Sequence, residues 1–252
     1  MPRERREAIA ELLRVQGEVT LEQLSEIYPN VSMMTLRRDL IHLEENGLLR
    51  RTRGGAVAMS GLHLPSEDAL SQRLQSNVMA KRQIAKKAAA LIETGRSIYI
   101  DSGSTCMFLA RCLPQNRMSV ITSSPSIAME LAVEPMIDVV ILGGRLGANT
   151  LSVSGSETCN QISNINIDTA IMATSGFTVD AGFTAGSYDE SEVKRLAIER
   201  ARHVIMLMDT SKVGHVLPYT FGRLDQIHSL VVDDHLPETV GEACRAAGVT
   251  LY

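Results

Sequence analysis

Tryptophan is absent from this 252-residue chain, and aromatic residues make up only 4% of it. A stacking platform for single-stranded nucleic acid needs several rings along one groove, so that class of binder is not expected. Cysteine is scarce as well: Cys106, Cys112, Cys159 and Cys244 stand without CxxC spacing and without histidines at zinc-ligand intervals. They read as small buried hydrophobes in a reducing cytoplasm, and neither a metal nor another cofactor is expected. No run approaches the eighteen or so apolar residues of a membrane span. The charged opening Met1-Pro2-Arg3-Glu4-Arg5-Arg6-Glu7 has no apolar run behind it, so no secretory signal is expected either. The chain also lacks a basic excess. Its formal net charge is −4, which taken alone argues against a nucleic-acid binder.

The distribution of charge says more than its sum. Residues 1–58 hold nine basic and nine acidic groups. Within them, residues 1–31 sum to −2 and residues 32–58 to +2, so the rest of the chain carries the whole negative balance. Composition divides the chain in the same way. Residues 1–58 carry closely spaced helical patterns, residues 59–77 read as a linker, and residues 78–252 alternate apolar strands with helices.

In the first segment, Ile9, Leu12 and Leu13 fall at helical spacing. Thr20-Leu21-Glu22-Gln23 is a capping box that opens a second helix, and Pro29-Asn30 breaks the chain after it. Ser32 then caps a third helix that Gly47 ends. Leu48-Leu49-Arg50-Arg51 and Ala56-Val57-Ala58, flanking Gly54-Gly55, form a short hairpin. Three helices followed by a hairpin outline a winged helix-turn-helix. On the third helix Met33, Leu36, Leu40 and Leu43 form one core-facing stripe, which leaves Met34, Thr35, Arg37 and Arg38 outward. Arginine can fork onto guanine O6 and N7, and Met and Thr can touch a thymine methyl. Arg50, Arg51 and Arg53 on the hairpin would reach phosphates or the narrow groove.

These residues carry a resemblance. Ser32-Met33-Met34-Thr35-Leu36-Arg37-Arg38-Asp39-Leu40, followed by Arg50-Arg51-Thr52-Arg53-Gly54-Gly55-Ala56, resembles the DeoR family of bacterial transcriptional regulators. The resemblance implies a DNA-contacting set of Ser32, Met34, Thr35, Arg37, Arg38, Arg50, Arg51 and Arg53. The turn ahead of Ser32 is one residue longer here than the family's usual form, with Pro29-Asn30 where a single small residue is common.

From residue 78 onward the reading is α/β. Residues 78–92 form a helix with Ile84, Ala88, Leu91 and Ile92 inward and Lys81, Arg82, Lys86 and Lys87 outward. Strands are expected over 97–100, 118–122, 139–142, 170–173, 203–208 and 229–232, with helices around 104–113, 126–132, 189–201 and 237–247. Near-continuous Val, Ile and Leu runs between helices argue for a mainly parallel sheet covered on both sides. Ligands of such sheets sit beyond the carboxyl ends of the strands. Those ends carry Asp101-Ser102-Gly103-Ser104-Thr105, Ser123-Ser124, Gly143-Gly144, Thr174-Ser175-Gly176 and Asp209-Thr210-Ser211-Lys212. Gly103-Ser104-Thr105 offers N–H groups and hydroxyls to an anion, and Lys212 adds a positive charge.

The order of these loops also resembles the family's sensor domain, whose fold is that of ribose-phosphate isomerases and CoA transferases. The resemblance implies a phosphorylated sugar or related effector. Asp101, Gly103, Ser104 and Thr105 would hold its phosphate or hydroxyls, and Ser123, Gly144 and Lys212 would complete the pocket. An enzyme reading, a sugar-phosphate isomerase or transferase with an appended helical domain, would draw on Glu190, Glu192, Asp209 and Lys212. The two glutamates lie two apart at a helix start, so they diverge and favour the helix N-terminus. No acidic cluster of the isomerase type, phosphate-binding P-loop or nucleophile elbow occurs. No catalytic residue is therefore assigned. The expectation is a cytoplasmic repressor of a carbohydrate-use operon that binds double-stranded operator DNA, responds to a phosphorylated sugar and works as a homo-oligomer, a dimer or tetramer.

Overall fold

The computed structural model describes residues 2–16, 18–45, 49–52, 54–58, 67–93 and 95–252. The chain divides into two compact units, Met1–Ser66 and Glu67–Tyr252.

The first unit runs α1 (Pro2–Gln16), β1 (Glu18–Thr20), α2 (Leu21–Ile27), α3 (Met33–Glu45), β2 (Leu49–Arg51) and β3 (Gly55–Ala58). The capping box forms: Gln23 N donates to Thr20 Oγ1 at 3.1 Å, and Thr20 N to Gln23 Oε1 at 2.8 Å. Ser32 caps α3 by accepting from Thr35 N at 3.2 Å. Pro29-Asn30 lie in a turn ahead of that cap. Val31 N bonds Tyr28 O at 3.0 Å, and both side chains pack on the leucine core. That core gathers Ile9, Leu13, Leu21, Leu24, Leu36, Leu40 and Leu43. Met33 does not join it. It is exposed at the first position of α3, beyond the reach of the leucine stripe, contrary to the inward placement expected for it.

The hairpin β2–β3 gains a third strand. β1 pairs antiparallel with β3 in the order β1-β3-β2, and Gly55 makes the approach possible. A Cβ on Gly55 would lie 2.0 Å from the carbonyl oxygen of Val19. Three residues of β1 are too few for a period-two pattern to register in the sequence.

The second unit starts earlier than its apolar pattern suggests. Its first helix, α4 (Leu70–Gln75), lies inside the expected 59–77 linker, with Leu70 buried and Leu74 packed on the core. The second unit therefore begins at Glu67, within the stretch expected to be a linker. There follow α5 (Val78–Ala89), β4 (Ser97–Ile100), α6 (Ser104–Ala110), β5 (Met118–Thr122), α7 (Pro125–Leu131), β6 (Ile137–Ile141), β7 (Arg145–Leu146), β8 (Val153–Ser154) and α8 (Ser156–Ser163). The chain continues through β9 (Ile167–Ala173), β10 (Gly176–Thr178), β11 (Gly182–Ala185), α9 (Tyr188–Arg200), β12 (Ala201–Met208), β13 (Tyr219–Gly222), β14 (Ser229–Val232), α10 (Glu238–Ala246) and β15 (Thr250–Leu251).

Seven strands form one sheet in the order β15-β14-β12-β9-β4-β5-β6, every pair parallel. Alternate residues feed opposite cores. Val204, Met206 and Met208 of β12 enter the core shared with α8, α9 and α10, whereas Ile205 and Leu207 enter the one shared with α5, α6 and α7. Burial on both faces is why these strands read as unbroken apolar runs. A smaller antiparallel sheet, β10-β11-β13, brings Phe177 and Phe183 to 4.7 Å between ring centroids, with Phe221 6.4 Å from Phe183.

Candidate functional site

In the first unit the side chains around α3 are sorted by one buried carboxylate. Asp39 is 1% exposed, and its oxygens accept from Arg5 Nε at 2.6 Å and Arg6 Nε at 2.7 Å, both on α1. A buried carboxylate must be paired, and here the pairing comes from another helix. Arg37 and Arg38, its sequence neighbours, are exposed and have no carboxylate partner among the described residues. Met34 and Ile41 are exposed on the same outward row as Arg38. Ser32 and Thr35 are engaged with each other, Oγ to Oγ1 at 2.9 Å, so they set the start of the helix.

On the wing, Arg51 is held by Glu44. Its main-chain N donates at 2.9 Å and its Nε at 2.5 Å, which ties β2 to the end of α3. Arg50 lies on β2 opposite Val57, with only its main chain described. Arg53 lies outside the described residues.

In the second unit the ends of β4, β5, β9 and β12 gather buried polar groups. Asp101 is 1% exposed; its carboxylate accepts from Ala173 N at 3.0 Å and from the ammonium of Lys194 on α9. Lys194 also donates to Ala173 O at 3.1 Å, stands 3.5 Å from Glu190 Oε1, and lies over the Phe221 ring at 5.2 Å. Burial alone would lower the Lys194 pKa, but the carboxylates of Asp101, Glu190 and Glu67 outweigh it and hold the ammonium well above its usual range. Burial pushes Glu190 up to about 7, assisted by Glu67 and Asp101 and opposed by Lys194 and Arg73.

A second group of cations converges from α4 and α5. Lys81 was expected to point outward; it is instead 2% exposed, with Nζ donating to Arg73 O at 2.6 Å and Ser76 O at 2.5 Å. Burial lowers its pKa, Asp209 opposes, and the charges of Lys212 and Arg73 add to the lowering. Arg73 reaches toward Gly103, where a Cβ would stand 3.9 Å from its Nη1, and its guanidinium meets Glu67 at 3.0 Å. Asp209 accepts from Asn77 Nδ2 at 3.2 Å and from the Ser211 hydroxyl. Arg73 Nε and Glu190 Oε2 are buried with no hydrogen-bond partner among the described residues.

The sequence model of the DeoR-like helix-turn-helix domain matches residues 5–61, and that of the DeoR C-terminal sensor domain matches residues 76–234. The HTH-type transcriptional regulator GolR of Listeria innocua is 33% identical over 98% of this chain and 97% of its own. The chain belongs to the DeoR family.

Two further relatives of this DeoR-family chain span its length. The HTH-type transcriptional regulator GlpR of Haloferax volcanii is 32% identical over 100% of this chain and 97% of its own. The glycerol-3-phosphate regulon repressor of Escherichia coli K12 is 31% identical over 94% of this chain and 93% of its own. A solved ribose 5-phosphate isomerase A of Methanocaldococcus jannaschii aligns over 55% of each chain at 20% identity and a TM-score of 0.41. The DeoR-family chain is a DNA-binding transcriptional regulator. Among its described residues no helix is long and apolar enough to cross a membrane.

Of the effector residues expected in this DeoR-family chain, Asp101, Gly103, Ser104 and Thr105 lie together at the end of β4 and the start of α6, all buried. Lys212 lies half-buried in the turn Thr210–Lys212 after β12. Ser123 is buried with its hydroxyl on Tyr99 OH, 3.0 Å away. Gly144 has φ +149°, and a Cβ there would stand 2.2 Å from Thr158 Oγ1, so this glycine lets the loop lie against α8. Glu190 and Glu192 do diverge: Glu192 pairs with Arg195, while Glu190 turns into the buried cluster instead of serving only the helix terminus. Of the cysteines, Cys106 and Cys244 are buried and Cys112 is exposed.

Arg73, Lys81 and Lys194 were missing from the residues expected at this site, and Glu190 was named only under the enzyme reading. A signal for two of them existed. Lys81 shares an i, i+3, i+4, i+7 row with Ile84, Ala85 and Ala88, and Lys194 shares one with Glu190 and Ala197.

Proposed function

We propose that this chain represses transcription in the cytoplasm, holding operator half-sites through Met34, Arg37, Arg38 and the wing and releasing them when a phosphorylated sugar or related metabolite binds at the strand ends of the second unit. The observation that carries the effector reading is that buried Lys81 bonds the Arg73 carbonyl at 2.6 Å while the Arg73 guanidinium reaches toward Gly103 at the start of α6, so two cations stand beside the β4 loop. Cations held together in a partly dehydrated site raise one another's energy, and a phosphate dianion relieves that repulsion. The unpartnered Arg73 Nε supplies a further buried donor. The glycerol-phosphate name of one relative supports the same chemical class. One winged unit covers one half-site, so operator recognition takes at least a dimer. Loosening the operator tenfold to a hundredfold takes about 1.4–2.8 kcal/mol of coupling.

One observation favours a catalytic second reading: Glu190, pushed up to about 7, lies in the range of a general acid–base group. Its Oε1, however, faces Lys194 and Ser102, each 3.5 Å away, and Lys194 is committed to Asp101 and Ala173. With Lys194 so committed, no free proton donor or acceptor among the described residues stands beside Glu190 Oε1, and we read the site as one of binding.

The test is a calorimetric titration of the full chain with sugar phosphates and their unphosphorylated parents, run beside a gel shift on operator DNA. The phosphorylated compounds bind and release the DNA, and Lys212→Ala blunts both effects. Equal response to the parent sugars would remove the phosphate from the proposal, and product signals in a proton NMR time course would establish the enzyme reading.

A further inference from the structure

The two edges of the seven-stranded sheet are unlike. One edge, β15, is two residues long, and so short an edge offers little to another strand. The other, β6, is five residues long with the sequence Ile-Asp-Val-Val-Ile. It bonds to β5 on one side only, and its outer rim of N–H and C=O groups has no strand partner among the described residues.

Parallel strands are normally covered on both faces. On β6 the coverage stops halfway. Ile137 and Val139 pack toward α7, yet Ile141 on that face and Val140 on the opposite face are both about half exposed. Beside them, α7 and the turn after it expose Met129 at 75%, Val133 at 77% and Met136 at 47%. Met129 lies on α7, and Val133 and Met136 in the turn that leads from it into β6, so exposed apolar side chains run from the helix to the strand. A strand edge whose one charge is Asp138, flanked by such exposed apolar side chains, is a template for another strand unless something covers it.

We propose that β6 and α7 form the two-fold interface between two copies of this chain, with β6 paired antiparallel to β6 of the second copy and the two sheets joined into one. The charges fit this occupant. In a register centred on Val139 or Val140, Asp138 of each copy lies opposite Val140 or Leu142 of the other, so the two carboxylates do not face one another. The two glutamates beside the edge are partnered within the chain: Glu130 meets Arg111 at 3.3 Å, and Glu134 accepts from Gln115 at 3.5 Å. An apolar centre with a partnered polar rim is the anatomy of a subunit contact. A two-fold axis normal to the sheet puts both α7 helices on one side, where Met129, Val133 and Met136 of the two copies meet. Antiparallel pairing of identical strands is self-complementary and closes at two copies. The inference deepens the proposal of paired half-site recognition, which requires a second copy.

Sedimentation equilibrium of the full chain and of the Val140→Lys and Ile141→Lys variants tests it, with circular dichroism to check the fold. Both positions are exposed, so the charged side chain is tolerated in the single subunit. The parent is expected at twice the chain mass or a multiple of it, and each variant at half the parent's mass with unchanged ellipticity. Hydrogen exchange of the parent is a second reading: the amides of Val139, Val140 and Ile141 lose protection on dilution across the association range. A monomeric parent, variants that keep the parent's mass, or β6 amides whose protection ignores dilution would overturn the interface. A gel shift on the same samples separates the two claims. Parent protein of the right mass that fails to bind DNA counts against the operator proposal and leaves the interface standing.

Discussion

Arg5 on α1 donates its Nε hydrogen to Asp39 on α3 across 2.6 Å, and this ion pair decides what the rest of α3 is free to do. Asp39 is the acidic residue immediately after Arg37-Arg38. Left exposed, it would be the local partner for those two cations. Drawn into the unit by Arg5 and Arg6, it leaves the two arginines outside with no carboxylate partner among the described residues. The same bond docks α1 against α3 and fixes how the outward row is presented.

Arg38→Ala is expected to cost about 1–3 kcal/mol of operator affinity and to relax base preference at one position of the half-site. A gel shift comparing operator with scrambled DNA checks this. Equal losses on both sequences would move Arg38 from base reading to phosphate contact.

Gly55→Ala tests the wing. With a Cβ directed at the Val19 carbonyl 2.0 Å away, β1 and β3 cannot keep their register. The overpacking is expected to destabilise the first unit by about 1–3 kcal/mol. Thermal unfolding followed by circular dichroism reads the loss, together with weaker operator binding. An unshifted midpoint would mean that the β1–β3 pairing contributes nothing to stability.

Glu190 gives a pH signature. Its pKa in the folded chain is about 7 against an ordinary 4.5, so the folded state binds its proton more tightly than the unfolded chain does. The stability this group contributes is fully present below the unfolded value and is lost as pH rises through about 7. Glu190→Gln cannot lose that proton. Its midpoint relative to the parent is expected to climb between those two pH values and to level off above them. A constant offset across the range would show that Glu190 titrates in its ordinary range.

The helix caps of the first unit were legible because they are local: Thr20 with Gln23, and Ser32 with Thr35, lie within one turn of each other. The buried strands were legible because burial on both faces leaves apolar runs that nothing else explains. Three of the six expected strands, 97–100, 118–122 and 229–232, coincide with β4, β5 and β14. Elements that gain their stability from a distant partner were not legible. β1 exists because β3 approaches it through Gly55, and α4 because Leu70 and Leu74 have a core to enter. α8 is mostly polar in sequence, and its two buried residues, Thr158 and Ile162, stand one helical turn apart but are too few to announce a helix.

The charged groups show the same division. Sequence alone determined that arginines would crowd α3 and the wing, and that small polar residues would end the parallel strands, because both follow from residue type and spacing. Only the tertiary structure decided which charges are free and which are spoken for. Arg51 is held by Glu44, and Lys81 is drawn inside by the carbonyls of Arg73 and Ser76. Lys194 is locked to Asp101, 93 residues away along the chain. A helical period reports which face an apolar core prefers, but a charge goes wherever its counter-charge and hydrogen-bond partners are. Those partners come from other elements, so their positions exist only once the chain has folded.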